Sequence, residues 1–333
     1  MASRACGQVL ASGFAVLIVA LLASWPARAA EPLALAPRMD AVARGSGFAM
    51  EGWFVWCGAV IKAEGAYHLF ASRWPEATKF PEGYRTHSEI VRAVAPRPEG
   101  PYVFQEVVIG RRAAGKWDSG MAHNPVIYET AGTYVLFYNA SDIGSRHRQI
   151  GFATARAITG PWQRQDRPLD LGLASDANNP SAWFERDGSV KLVWRTADLR
   201  VCVSTARHFG GPYTLANGNA WPGARLEDFF LFRHGGRYHL ICEDNAGRVT
   251  GHERWGAHLV SPDGVSGWQP WSESVAYDHT IRWTDGGHFE PRRRERPWLL
   301  IEGGAITHLF TAVYDGTRTW NQPVPLSPPL ALE

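Results

Sequence analysis

A short apolar strand entered through a glycine turn recurs five times along this chain, and few folds accept such a period. The copies are Tyr67-His-Leu-Phe-Ala-Ser72, Tyr134-Val-Leu-Phe-Tyr-Asn139, Val190-Lys-Leu-Val-Trp-Arg195, Tyr238-His-Leu-Ile-Cys-Glu243 and Ile306-Thr-His-Leu-Phe-Thr311. The turns before them are Glu64-Gly-Ala66, Ala131-Gly-Thr133, Asp187-Gly-Ser189, Gly235-Gly-Arg237 and Gly303-Gly-Ala305, and each turn follows another apolar run. Glycine supplies the positive φ that a tight hairpin needs. A hairpin recurring every fifty to seventy residues, with no long amphipathic helical pattern between copies, predicts an all-β fold of radially arranged sheets. Five copies predict a five-bladed β-propeller.

A second repeat closes each unit. It reads Ala93-Val-Ala-Pro-Arg-Pro-Glu-Gly-Pro-Tyr102, Ala153-Thr-Ala-Arg-Ala-Ile-Thr-Gly-Pro-Trp162 and Ser204-Thr-Ala-Arg-His-Phe-Gly-Gly-Pro-Tyr213, with a degenerate fourth copy at Val260-Ser-Pro-Asp-Gly-Val-Ser-Gly-Trp268. Each predicts a strand running into a Gly-Pro turn that starts an outer strand, with the aromatic covering the blade edge. The blades then span 50–110, 118–168, 172–220, 224–275 and 280–330, and residues 31–49 form a leader able to supply a closing strand. Two β-sandwiches are the alternative, and the regular order of the two repeats argues against them.

The first 29 residues are set apart as a signal peptide: Arg4 is basic, Gly13 to Ala23 is apolar, and Ala27-Arg28-Ala29 fits a small-x-small cleavage site. The apolar run is too short to span a bilayer. Residues 30–333 are expected to form one exported domain, periplasmic or secreted, with no membrane contact after processing. Lys+Arg 34 against Asp+Glu 32 leaves no basic field for nucleic acid. Fifteen tryptophans exceed what a β core alone needs, and exposed indole faces are platforms for sugar rings. Cys57, Cys202 and Cys242 are odd in number and scattered, so they build no disulfide framework; the last two read as small buried hydrophobes.

In a propeller the innermost strands begin around one axis. Their starts read Trp56-Cys57-Gly58, His123-Asn124-Pro125, Asn178-Asn179-Pro180, Glu227-Asp228 and Arg294-Glu295-Arg296-Pro297. So many polar groups at equivalent places point to a ligand, or to side chains that plug the axis by bonding one another. Glu227 and Asp228 are candidate catalytic carboxyls. A regular strand would point them to opposite faces, but an irregular start would let either turn inward. Asp118 in Trp117-Asp-Ser-Gly and Asp176 in Ser175-Asp-Ala-Asn-Asn179 lie just before inner strands and are candidate partners. For substrate binding, Asn124 and Asn179 can both donate and accept, Trp56 and Trp74 offer ring faces, and Arg73 can clamp an acidic sugar. His123 is either a satisfied core histidine or a proton carrier. Glu295, between arginines, is expected to stay charged by ion pairing, in a structural role or as a substrate contact. Glu243 and Asp244 hold the place of Arg73 and Trp74 in blade four, but read there as surface turn residues.

The repeat pattern resembles the five-bladed propeller glycosidases of glycoside hydrolase family 43 and relatives such as family 117, whose blade strands start with short polar-Pro motifs followed by Gly turns. The resemblance implies an Asp base in blade one, an Asp modulator in blade three and a Glu acid in blade four. Glu227 of Leu-Glu-Asp-Phe-Phe-Leu-Phe matches the acid; the modulator position falls on Asn179 and the base position on Cys57 or its neighbour, neither a carboxylate. Family 117 allows a histidine acid, from no position that matches here.

The reading is an exported glycoside hydrolase cleaving a plant or algal oligo- or polysaccharide by inversion, with Glu227 as general acid, an Asp as base, and no cofactor or metal. Glycosidic hydrolysis needs one protonated and one ionised carboxyl. The alternatives are a non-catalytic carbohydrate-binding propeller and a phosphorolytic relative, in which Arg292-Arg-Arg294 and Arg296 would hold phosphate.

Overall fold

Every one of the five repeated segments is the second strand of a separate antiparallel sheet. A computed structural model of the chain describes residues 1–2, 33–223 and 225–332; the expected signal peptide, apart from its first two residues, lies outside them. The second strands are Ala66–Pro75, Thr133–Ser141, Val190–Arg195, Arg237–Asp244 and Ala305–Tyr314, and the innermost strands are Trp53–Ala63, Met121–Thr130, Asn178–Phe184, Leu226–His234 and Arg293–Glu302. Each sheet runs in simple meander order outward from its innermost strand. The first four sheets have four strands and the fifth has three. Innermost strands contact their neighbours around the ring, the fifth meeting the first, so the sheets form a closed five-bladed propeller. Leu33–Glu333 form one compact unit.

Alternation within the repeats builds the core. Leu69, Leu136, Leu192, Leu240 and Leu309 occupy equivalent places in the second strands and are all buried. Fully burying one such side chain contributes roughly 1.5–3 kcal/mol. The second repeat also lies where expected, as third strands followed by turns. Gly100, Gly160 and Gly211 before the turn prolines have φ of 81°, 90° and 86°, a conformation that glycine alone adopts without strain. The phenols of Tyr102 and Tyr213 donate back to the carbonyls of Pro98 and Phe209, pinning the blade edges.

The leader closes the ring more loosely than a full strand would. It touches the outer strand of blade five through isolated bridges, Met39 with Leu326 and Phe48 with Asn321, and a parallel bridge joins Val42 to Trp283. Blade five is further stitched to blade one. Asn321 donates to the Cys57 carbonyl (2.9 Å), Trp298 Nε1 to the Val60 carbonyl (2.9 Å), and the Thr319 hydroxyl accepts from Val55 N–H (2.6 Å). A Cβ on Gly58 would lie 2.0 Å from the Asn321 side chain, so this junction requires glycine. Among the described residues no helix is long and apolar enough to cross a membrane.

Candidate active site

The innermost strands slip register at one common place, and the slip decides what faces the axis. Their pairing jumps from Trp56 to Ala59, His123 to Val126, Glu227 to Phe230 and Glu295 to Trp298. In blade three the break falls between Val193 and Arg195 of the facing strand. Within each slip one residue takes left-handed backbone: Cys57 (φ 65°), Asn124 (56°), Asn179 (55°), Asp228 (63°) and Arg296 (60°). Asn and Asp accept this conformation readily, whereas Cys and Arg are strained by about 1–3 kcal/mol each. The bulge suspends the usual alternation, so two successive side chains per blade are delivered to the axis.

The slipped residues bond to one another. Asn124 Nδ2 donates to Asn179 Oδ1 (2.8 Å) and Asn179 Nδ2 to Asp228 Oδ1 (3.0 Å). Arg296 Nη2 donates to Asn179 Oδ1 (3.0 Å), its Nε lies 3.2 Å from Asp228, and Cys57 Sγ lies 3.3 Å from Asn124 Oδ1. This ring is a plug. It borders a cavity of about 30 Å³, room for a water at most. Beyond it, the same strands line an apolar cavity of about 380 Å³ with Tyr128, Trp183, Phe232 and Trp298.

The residues just before the slips lie at one end of the axis, the mouth, where the side chains of Glu227, Arg254 and Arg293 reach solvent. Trp56 packs on Phe80, whose ring stacks on Tyr314 at 4.1 Å, and Phe80 and Tyr84 both lie against Trp74. His123 stacks on Tyr84 at 4.5 Å and its Nδ1 hydrogen-bonds Ser88 Oγ (2.8 Å). Glu227 pairs with Arg195 (2.7 Å) and accepts from the Asn245 amide (2.5 Å). Its Oε2 lies 3.5 Å from Asn179 Nδ2, so Glu227 and Asp228 both reach the same amide, as an irregular strand start allows. Glu295 accepts from Arg254 Nη1 at 2.8 Å, and the same nitrogen donates to Glu243 at 2.9 Å. Carboxylate oxygens of Asp228, Glu243 and Glu295 lie within 4.8 Å of one another, and all three residues are buried.

Three packed carboxyls cannot all ionise, and the surroundings separate their states. Burial pushes Asp228 up to about 6, against Arg296 and with help from the Glu227 charge. Burial and then the Asp228 charge push Glu295 up to about 7, although Arg293 and Arg254 oppose the shift. Glu243 is driven well above the ordinary range by burial, then by Glu295. Burial also raises Glu227, but Arg195, the Asn245 hydrogen bond, Arg296 and Arg254 together outweigh it and hold this carboxyl below its usual value. The mouth therefore presents one ionised carboxylate beside a proton-holding cluster.

Several expected residues belong elsewhere. Asp118 is fully buried in an ion pair with Arg112, accepts from the Tyr138 phenol (2.9 Å) and lies 3.7 Å from Arg164; it holds blade two together and joins none of the axial groups above. Asp176 is bound by Arg148 (2.9 Å) and Asn178 (3.0 Å), and Arg148 reaches Tyr84 (3.2 Å), so it braces the mouth without facing a partner carboxyl. Arg73 pairs with Glu89 (2.8 Å) and lies over Trp53 and Phe104, away from the ring. Trp74 is buried, and Trp56 nearly so, leaving no open stacking face. His123 is satisfied and buried; burial, then Arg296 and Arg148, hold it neutral, so it is no proton carrier near pH 7. Asn124 and Asn179 spend their amides on the plug. Glu295 is ion-paired as expected, yet its proton affinity rises, because burial outweighs the arginines. Glu243 and Asp244 are buried, not surface turns. The arginine run splits along its strand: Arg294 is buried against the carbonyls of Asp278 and Thr280, Arg296 lies in the plug, and Arg293 faces Phe80. They form no joint phosphate site.

Sequence reasoning missed Arg195, Asn245 and Arg254, and set Glu243 aside as a surface turn residue. For two of these a signal existed. Ser72, Asn139, Arg195 and Glu243 each stand three residues after the repeated leucine, and pair with Trp56, His123, Asn178 and Glu227 across the blade. A polar residue ending an apolar strand at one fixed offset marks the axial end. Asn245 and Arg254 sit in a loop arranged by buried Asp244, which accepts from the backbone N–H groups of Arg248 (3.1 Å), Val249 (2.7 Å) and Thr250 (2.9 Å).

Solved structures share this architecture. The catalytic domain of the Coprinopsis cinerea GH62 α-L-arabinofuranosidase superposes with a TM-score of 0.64 at 13% identity, over 90% of this chain and 99% of that one. A family 117 glycoside hydrolase produced by the marine bacterium Zobellia galactanivorans gives 0.61 at 14%, over 86% and 88%. A thermostable family-43 glycoside hydrolase gives 0.60 at 13%, over 86% and 91%. No family model and no curated protein matches the sequence. What these neighbours share with the chain is the fold: it is a five-bladed β-propeller of the kind that families 43, 62 and 117 of the glycoside hydrolases use.

Proposed function

We propose that the protein is an exported glycoside hydrolase acting on a plant or algal oligo- or polysaccharide, with Glu227 and Glu295 as its reacting carboxyls. The observation that carries this is the divergence of their states at one mouth: Glu227 is held ionised by Arg195 and Asn245, whereas Glu295 shares the protons of a buried cluster. Pairs driven apart in this way mark acid and base. Glu227 takes the opposite role from the one the sequence suggests, and Glu295 stands in place of an Asp as its partner. Glu295 gives its proton to the glycosidic oxygen as the C–O bond breaks, and Glu227 takes a proton from the water attacking the anomeric carbon, with inversion. Asp228 and Glu243 lie close enough to reprotonate Glu295. Incubation with a polysaccharide panel should release reducing ends without any dependence on phosphate.

Binding without release would favour the carbohydrate-binding alternative. Its support is that blades one and three place Cys57 and Asn179, tied into the plug, where a carboxylate would serve catalysis.

Asp244 is a positioning residue in this scheme. Asp244→Ala removes the buried acceptor of three part-buried backbone N–H groups, at about 0.5–1.5 kcal/mol each, and frees the loop carrying Asn245 and Arg254. We expect a lower melting temperature and a fall in kcat of about tenfold to a hundredfold, since a displacement near 1 Å suffices for that. Asp244→Asn should restore part of both. Thermal melts and steady-state kinetics check this; unchanged kcat in the alanine variant would contradict it.

A further inference from the structure

We infer that the sugar bound at this mouth is anionic, its carboxylate or sulfate docking on Arg254 and Arg293. The inference rests on the placement of the mouth given above and deepens the hydrolase reading by naming a substrate class.

The mouth is layered by charge. The carboxyls lie below: the side chains of Glu243 and Glu295 are 1% and 8% exposed. Above them, Arg254 and Arg293 are 36% and 33% exposed, and both approach the same oxygen of Glu295, at 2.8 and 3.6 Å. Arg254 uses only Nη1 on its two carboxyls, leaving Nε and Nη2. Arg293 lies 3.6 Å from Glu295 and 5.5 Å from the Phe80 ring, so its donors are largely unspent. A guanidinium carries five donors in a planar fork, matched to a carboxylate or sulfate.

Charge counting agrees with the geometry. Arg195 answers Glu227 and Arg296 answers Asp228, one to one. Two arginines then remain over Glu243 and Glu295, whose oxygens crowd each other and Asp228 within 4.8 Å. Carboxyls that close share protons, so positive charge is in surplus where Arg254 and Arg293 meet solvent. A neutral sugar would leave these donors to water. An acidic one would pair with them beside Glu295, orienting the ring over the reacting carboxyls.

The test is calorimetric titration of the full-length chain, and of Glu227→Gln to separate binding from turnover, with matched glycans differing only in charge. One set pairs oligogalacturonate and other uronate oligomers with their methyl esters. Another pairs sulfated galactan oligomers with desulfated ones. At least one acidic member should bind about tenfold or more tightly than its neutral match, with an advantage that shrinks as salt is raised. Which set shows it tells carboxylate from sulfate. Arg293→Gln and, independently, Arg254→Gln should bring the acidic-to-neutral affinity ratio toward one. Equal affinity within every pair, no acidic member bound, or ratios unmoved in both variants would overturn the inference. Acid-selective binding with no bond cleaved would sink the hydrolase reading alone. Cleavage of neutral glycans with Arg293→Gln behaving as wild type would sink this inference alone.

Discussion

Glu227→Gln should lose about 10²–10⁴-fold in kcat on any glycan the wild type cleaves, while melting within a few degrees of it. Glutamine has the shape of glutamate and keeps one oxygen for Arg195, while its amide nitrogen takes the place facing Asn245, whose own amide can turn its oxygen to accept. It cannot accept a proton from water. Because the surroundings keep Glu227 ionised, the amide removes the one charge that the mouth reserves for a base. KM should change little, since the rim arginines are untouched. Kinetics with a parallel melt decide the matter: unaltered turnover removes Glu227 from the chemistry, and a collapsed fold would show that its pairing is structural.

The second large effect concerns stability. Arg296 carries the positive charge in the axial plug, donating to Asn179 and lying 3.2 Å from Asp228. Arg296→Met leaves a buried carboxyl without its cation and should cost about 3–5 kcal/mol. The pH dependence has a definite sign. Asp228 is already raised to about 6 by burial, with Arg296 pulling it down; without that pull it rises further. The folded variant then keeps a proton that the unfolded chain gives up at its ordinary aspartate value. Stability falls as pH rises through that window, and the variant's excess loss appears above about pH 6. Asp228→Asn placed on Arg296→Met removes the stranded acid and should recover much of the difference. Denaturant melts at pH 5 and pH 8 check both statements; a loss under 1 kcal/mol that ignores pH would contradict them.

The fold was legible because its repeats obey local rules. Apolar strands, glycine turns and Gly-Pro corners are set by neighbours within ten residues, and each fell where the pattern put it. The polar strand starts were legible too, since Cys57, Asn124, Asn179, Asp228 and Arg296 do meet at the axis. Their division into plug and mouth was not. It depends on a bulge that puts two consecutive side chains on one side, which alternation cannot anticipate. Asp118 and Asp176 looked equivalent as acids before inner strands, yet Arg112 and Arg148 take them up in ion pairs away from a partner carboxyl. The Glu227 partners lie 18 to 68 residues away, on strands and a loop of blades three, four and five, Arg254 and Glu295 included, and no local pattern brings them together. Proton affinity in the cluster is set by burial, which no local pattern encodes.

The pH dependence of kcat/KM, in wild type and in Glu295→Gln, tests the central claim most directly. An ionised Glu227 and a proton-bearing Glu295 predict an ascending limb below the ordinary glutamate range and a descending limb near pH 7. Glu295→Gln should remove that descending limb together with most of the rate. A rate still climbing through pH 8, or a descending limb that survives the substitution, would contradict the pairing of these two carboxyls.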